Sequence, residues 1–310
     1  SNKPFQLTSG QLSSHSPVLS PDGKKLYVLG QQQRGEAQGW DEKSQQWVEA
    51  LGGLSAEMVD PSPDGRWISY VLFPEGTLWK SRADGSERQQ LTFAPLIVLT
   101  HSWSPDGKHI AFTGFGRGTQ TRNYEISSDG GAPEPLTNAE HSELSPSWSP
   151  DGQSVVFSYA PWSERTPETV GVFMLNLTTH EKRKIPGSEG YFGSAWSPDG
   201  RYNAANAIDS QTIVLFDFAT GKWTNLDSGT GVLRWSPDSR FLYHLSYENG
   251  PAVVRVRMSD RKVERIAPLN SVRLAGFLAG VAFGLTPDGV PIILRDTGTE
   301  EIYSLDWHDN

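Results

Sequence analysis

The chain has 310 residues, 36% of them apolar, with 31 Gly and 21 Pro but no Cys. Such a composition calls for many turns and excludes disulfides, thiolate nucleophiles and Cys-ligated metals. A formal net charge of −9 leaves no basic excess to neutralise phosphates, which argues against direct nucleic-acid and anionic-membrane binding, and no apolar run is long enough for a spanning helix.

KPFQLTSG, residues 3–10, opens the chain and reads like the close of a unit, because RQQLT (88–92) stands in the same relation to a later WSPDG. Seven copies of one phrase follow: LSPDGKKLYVL around Asp22, PSPDGRWISYV around Asp64, WSPDGKHIAFT around Asp106, WSPDGQSVVFS around Asp151, WSPDGRYNAAN around Asp199, WSPDSRFLYHL around Asp238 and LTPDGVPIIL around Asp288. Their intervals of 42, 42, 45, 48, 39 and 50 residues suit a four-stranded antiparallel propeller blade. In each copy Pro presets a tight turn, Asp can bond its own backbone, and Gly accepts the left-handed conformation; only Ser239 replaces that Gly, at a cost of about 1–2 kcal/mol if the turn keeps its type. A short strand precedes the turn, often with Trp three residues ahead of the Asp (Trp103, Trp148, Trp196, Trp235). An apolar strand follows it, such as Val155-Val156-Phe157, then a third strand (Ile213 to Phe218) and a more polar fourth (Lys182 to Ile185). These are strands A to D, from channel outward. The expected fold is all-β: a seven-bladed β-propeller of four-stranded antiparallel blades, filling 1–310 as one domain. Its last copy supplies A near 280–285, B at 291–294 and C at 301–307, so residues 3–8 are expected to complete that blade (280–308) as strand D and close the ring.

The repeats resemble the WD40-like family of propeller repeats found in TolB, with its SPDG turn and without the Gly-His…Trp-Asp signature of true WD40 repeats. TolB itself has six blades and an added α/β domain, and seven copies match neither. APWSERTPET (160–169), PGSEGYFGSAWSPDGRY (186–202), LFDFATGKWTNL (215–226) and LTPDGVPIILRDTGTEEIYSLDW (285–307) resemble the C-terminal propellers of acidobacterial proteins that carry a winged-helix or protein-kinase domain. That resemblance implies the sensory half of a signalling protein and carries no catalytic residues to transfer. Asn203 and Asn206 depart from it, standing where other B strands are bulky and apolar, and so mark a looser blade or a polar cavity.

No nucleophile elbow, HExxH, Walker loop or EF-hand occurs, and GFGRG (114–118) links two strands rather than opening a helix, so it reads as a loop. His15, His101 and His141 stand seven, five and ten residues ahead of their motif Asp, at different heights, and read as polar residues at the ring mouth rather than as metal ligands. No cofactor, metal or catalytic residue is expected, and the motif aspartates read as turn caps. Binding is expected at the mouth that carries the D-to-A and B-to-C connections, opposite the SPDG turns. The candidate residues there are Arg34, Phe115, Arg117, Trp162, Arg165, Tyr191, Tyr247, Arg273 and Arg295, with Trp162 beside Arg165 as an anchor pair. A non-catalytic sensor that takes an unidentified small molecule or protein is the first reading, with a monomer expected and the periplasm favoured over the cytoplasm. An enzyme at the same mouth, such as a lyase or hydrolase on acidic oligosaccharides, is the alternative.

Overall fold

The computed structural model describes residues 13–138, 141–162, 169–209, 211–276 and 282–306; the expected strand 3–8 lies outside them. Among the described residues there is no α-helix, one 3-10 turn at Leu51–Gly53, and seven antiparallel sheets, each holding one copy of the phrase. The fold is thus an all-β propeller.

The turn shows why the phrase recurs. Ser62 Oγ donates to the Asp64 carboxylate at 2.7 Å and accepts the Trp67 N–H at 3.0 Å, while Asp64 accepts the Arg66 N–H at 3.1 Å. Equivalent bonds to the Asp and Ser side chains recur at Asp22, Asp106, Asp151, Asp199 and Asp238. The serine is therefore as necessary as the aspartate. Its hydroxyl is the main reason the Asp64 carboxyl titrates below the usual range. Ser239 keeps the left-handed turn at φ 59°, and its Oγ accepts the Asp199 N–H at 2.9 Å, a tie to the neighbouring turn that Gly could not make.

Six sheets have four strands. The Asp64 blade runs Ala56–Pro61, Trp67–Leu72, Thr77–Arg82 and Gln89–Gln90, and the Asp106 blade runs Ile97–Trp103, His109–Phe115, Arg122–Ser127 and Glu134–Pro135. The Asp151 blade runs Glu143–Trp148, Ser154–Tyr159, Val172–Asn176 and Lys182–Lys184, and the Asp199 blade runs Tyr191–Trp196, Tyr202–Ala207, Thr212–Asp217 and Lys222–Ser228. The Asp238 blade runs Thr230–Trp235, Phe241–Ser246, Ala252–Arg257 and Val263–Pro268. The last blade is completed from the N-terminal side of the chain, as expected, but by other strands. Gly284–Leu285 and Pro291–Asp296 pair onward with Gly35–Asp41 and Gln46–Glu49.

The expected C strand of that blade, Thr299–Asp306, instead pairs with Lys25–Gln32, which also pairs with Ser13–Leu19 in a three-stranded seventh sheet. Two-residue links (Gln33-Arg34 and Thr297-Gly298) carry both strands straight from one sheet into the other. The antiparallel register therefore never shifts: Lys25 faces Asp306, Gln32 faces Thr299, Gly35 faces Asp296 and Gly39 faces Ile292. A continuous ladder keeps the backbone groups paired where a hairpin would have turned the chain back.

The buried clusters follow the six four-stranded sheets around a closed cycle. Each interface between neighbours has its own cluster, and the last blade packs directly on the Asp64 blade through Ala37, Ile292, Val59 and Tyr70. The turns repeat the cycle: Gly107 abuts Pro63, Gly152 abuts Pro105, Gly200 abuts Pro150, and Gly65 abuts Pro287, whereas nothing lies against Gly23. The Ser13–Leu19, Lys25–Gln32 and Thr299–Asp306 sheet stands beside this cycle as an arm. Indole N–H groups fasten some blades to the one before, Trp103 donating to the Asp60 carbonyl at 3.1 Å and Trp235 to the Ala195 carbonyl at 2.9 Å. Trp196 bonds its own turn instead, and Trp148 Nε1 is buried without a partner.

Candidate functional site

The A strands line the channel, and one height of it is filled. Val232 of the Asp238 blade and Ala282 of the last blade pack across the ring onto the cluster containing Met58 and Val98. At that height the channel is therefore a floor rather than an open pore.

On the mouth side, a cavity of about 350 Å³ opens between the Asp238 blade and the connection that follows its last strand, lined mainly by Leu245, Tyr247, Pro251, Leu269, Val272 and Leu274. Tyr247 is 52% exposed at its edge. The charged rim lies next to it. Leu274 bridges Arg295, Arg295 faces Glu36 across the ladder, and Thr297 N–H donates to the Arg34 carbonyl at 3.0 Å. Arg273 is held by Asp296 at 2.7 Å and Glu300 at 3.4 Å, and Arg34 by Glu36 at 3.4 Å, whereas Arg295 makes no ion pair among the described residues.

Of the nine candidates, Arg34, Tyr247, Arg273 and Arg295 thus gather at one corner of the mouth. Phe115, half-buried at the end of its strand, and exposed Arg117 lie on the Asp106 blade; Trp162, 58% exposed, follows the second strand of the Asp151 blade. Arg165 lies outside the described residues. Tyr191 is turned onto Trp223 of its own blade, ring centroids 4.8 Å apart, and packs with the interface core. GFGRG closes as a turn, Gly116 N–H donating to Thr119 Oγ1 at 2.8 Å. The apolar wall of the cavity was not picked out in sequence. The available signal was the interval of 50 residues between Asp238 and Asp288, the longest in the chain, which leaves a long connection at 269–283.

His101, His141 and His244 do not converge. His141 packs on Tyr159 at 4.7 Å, and buried His244 bonds Asp227 at 2.9 Å. His101 corrects its expected place at the mouth: it is 2% exposed inside the ring, where burial first and the Arg234 charge second push its imidazole down to about 3. Among the described residues no group of three or more His, Asp or Glu side chains is placed to hold a metal. Asn203 is fully buried with both amide atoms unpartnered, and Asn206 donates to the Gly231 carbonyl at 3.1 Å. Blade five does carry polar groups in its interior.

No family model matches the sequence, and no curated protein does. Solved structures do match by shape. A putative TolB from Agrobacterium tumefaciens superposes with a TM-score of 0.66 at 19% identity, over 85% of this chain and 98% of that one. TolB from Acinetobacter baumannii gives 0.58 at 17% identity, over 92% and 79%. Oligogalacturonate lyase from Vibrio parahaemolyticus gives 0.55 at 15% identity, over 93% and 92%. These likenesses show the fold, a TolB-like β-propeller. Seven sheets, one for each copy of the phrase, make up that fold in this chain.

Proposed function

We propose that the chain is a non-catalytic recognition propeller, the ligand- or protein-sensing half of a signalling or regulatory protein, which takes its partner at the channel mouth. The observation that carries this reading is the mainly apolar cavity lined by exposed Tyr247, with Arg273 between its lining residues Val272 and Leu274, Arg295 bridged to Leu274, and Arg34 next along the ladder. An aromatic residue and arginines beside an apolar pocket suit an apolar anchor flanked by acidic groups on a protein segment. The floor of Met58, Val98, Val232 and Ala282 beneath the mouth favours docking over passage. The TolB likeness favours the periplasm over the cytoplasm.

Selection of random peptides on the immobilised protein tests it. The enriched peptides should carry an apolar residue beside Asp or Glu, and Tyr247→Ala should weaken their binding about tenfold or more without lowering Tm. Peptides indifferent to both Tyr247→Ala and Arg295→Glu would sink the proposal. The lyase likeness supports a second reading, an enzyme on acidic oligosaccharides bound by the same arginines. Against it, His101, His141 and His244 lie on three different blades, and no histidine lines the cavity among the described residues. New ultraviolet absorbance from oligogalacturonate incubated with the protein would revive that reading.

A further inference from the structure

Inside the channel, three A strands bring together polar groups that the mouth does not use: Asp60 from the Asp64 blade, His101 from the Asp106 blade and Arg234 from the Asp238 blade. Neither buried ring nitrogen of His101 has a hydrogen bond of good geometry, although the Ser69 backbone lies close enough to favour the protonated ring, and Nε and Nη2 of Arg234 are buried and unpartnered. A buried donor without an acceptor costs about 1–3 kcal/mol, and more when charged. Such groups persist at one place where something other than packing requires them.

Two of the three strands bulge just before the residue in question, between Glu57 and Asp60 and between Thr230 and Arg234, a device they share with the A strands of the Asp151 and Asp199 blades. Met58 in the first bulge has φ 58°, the left-handed conformation that Ser145 and Gly193 take at the same point of their strands. Bulges re-aim the side chains that follow them. Asp60 lies deep in the protein yet retains some accessible surface, as Arg234 does.

We propose that this part of the channel binds a carboxylate, held by the Nε–Nη2 edge of Arg234 and an N–H of His101, with Asp60 as the third wall. That edge of a guanidinium meets both oxygens of a carboxylate in parallel. A neutral imidazole has one N–H to donate, and His101, pushed down to about 3, stays neutral in ordinary buffers. Burial raises the Asp60 carboxyl above its usual range, against the pull of Arg234 and of the Trp103 contact. Protonated, Asp60 donates its O–H to the bound anion; ionised, it repels it. The site therefore takes up a proton with its ligand, and affinity rises as pH falls. The charged group acting on both Asp60 and His101 is Arg234. A free small acid and the carboxylate end of a chain share this chemistry.

Thermal melts with acetate, and with acetamide as the uncharged isostere, test the site at fixed ionic strength. Saturating acetate should raise Tm by about 2 °C or more, acetamide should not, and the rise should be larger near pH 5 (about) than near pH 8 (about). Arg234→Gln should abolish the rise and, without acetate, melt no lower than the wild type, because it removes the unpaired charged donors. Asp60→Asn should make the rise independent of pH. A tripeptide with a free C-terminus that binds better than acetate and better than its amidated form assigns the site to a chain end; acetate binding alone assigns it to a free acid. Equal effects of acetate and acetamide would overturn the proposal. So would an acetate response that survives in Arg234→Gln, or an Arg234→Gln variant that fails to fold while Arg234→Lys binds acetate as the wild type does.

Discussion

The ring and the arm are written with the same phrase and meet opposite fates. Leu78 and Ile302 hold the same position in their C strands, each four residues before the partner of the residue that follows its turn (Arg82 opposite Trp67, Asp306 opposite Lys25). Leu78 is completely buried, whereas Ile302 is 76% exposed. The turn bonds of Ser20 and Asp22 match those of Ser62 and Asp64 to within about a tenth of an ångström, the resolution at which hydrogen-bond geometry carries meaning. The phrase thus specifies a turn and the hairpin around it. Whether that hairpin enters a core depends on a neighbouring sheet, which the phrase does not encode.

The widest gap between the two regions should appear on truncation. Leu78→Ala should cost about 2–5 kcal/mol of unfolding free energy by urea titration, while Ile302→Ala should stay within about 0.5 kcal/mol. Equal costs would place the arm in the core and break the six-sheet cycle. The next effect is electrostatic and belongs to the ring. The unfolded imidazole of His101 takes a proton near 6.5 and the folded one only at about 3, so the unfolded state binds more protons between these values. The contribution of His101 is fully present above pH 6.5 and is lost as pH falls toward 3. From about pH 6.5 to about pH 5 the loss is about 2 kcal/mol. Asp60 acts in the opposite sense, its raised carboxyl favouring the fold less as pH increases. The decisive quantity is therefore the difference from His101→Gln, which lacks the first slope alone; parallel pH profiles in carboxylate-free buffer would show that His101 is not held neutral by burial.

The smallest effect compares two tryptophans within the ring. Trp235→Phe removes an interblade hydrogen bond and Trp148→Phe does not. The first should therefore be the costlier by about 1 kcal/mol in a chemical melt, and the reverse order would refute the fastening role of the indole.

Much of this was legible in the chain itself. The period, the tight turn and the apolar B strands gave blades, because they rest on bonds and contacts within a few residues. That Tyr247 and the arginines at 34, 273 and 295 lie on one side of the ring follows from their place at the ends of B strands or in D-to-A connections. The cavity wall of Leu245, Leu269, Val272 and Leu274 was missed, since apolar residues in sequence do not reveal that a blade and the connection after it leave space between them. His101 was misplaced for a related reason. Counting back from its Asp gave a height, but the burial of that height depends on residues from across the ring.

The sequence by itself determined the number of sheets, the chemistry of every turn and the face on which connections gather, all of which follow from local backbone and side-chain physics. Only the tertiary structure decided which strands close the last blade, which copy of the phrase stands outside the cycle, and that Asp60, His101 and Arg234 share one part of the channel. The first two outcomes depend on pairings between residues more than two hundred positions apart, as between Lys25 and Asp306 or Gly39 and Ile292. There, the continuity of a ladder and the neighbour each sheet finds count for more than any local preference.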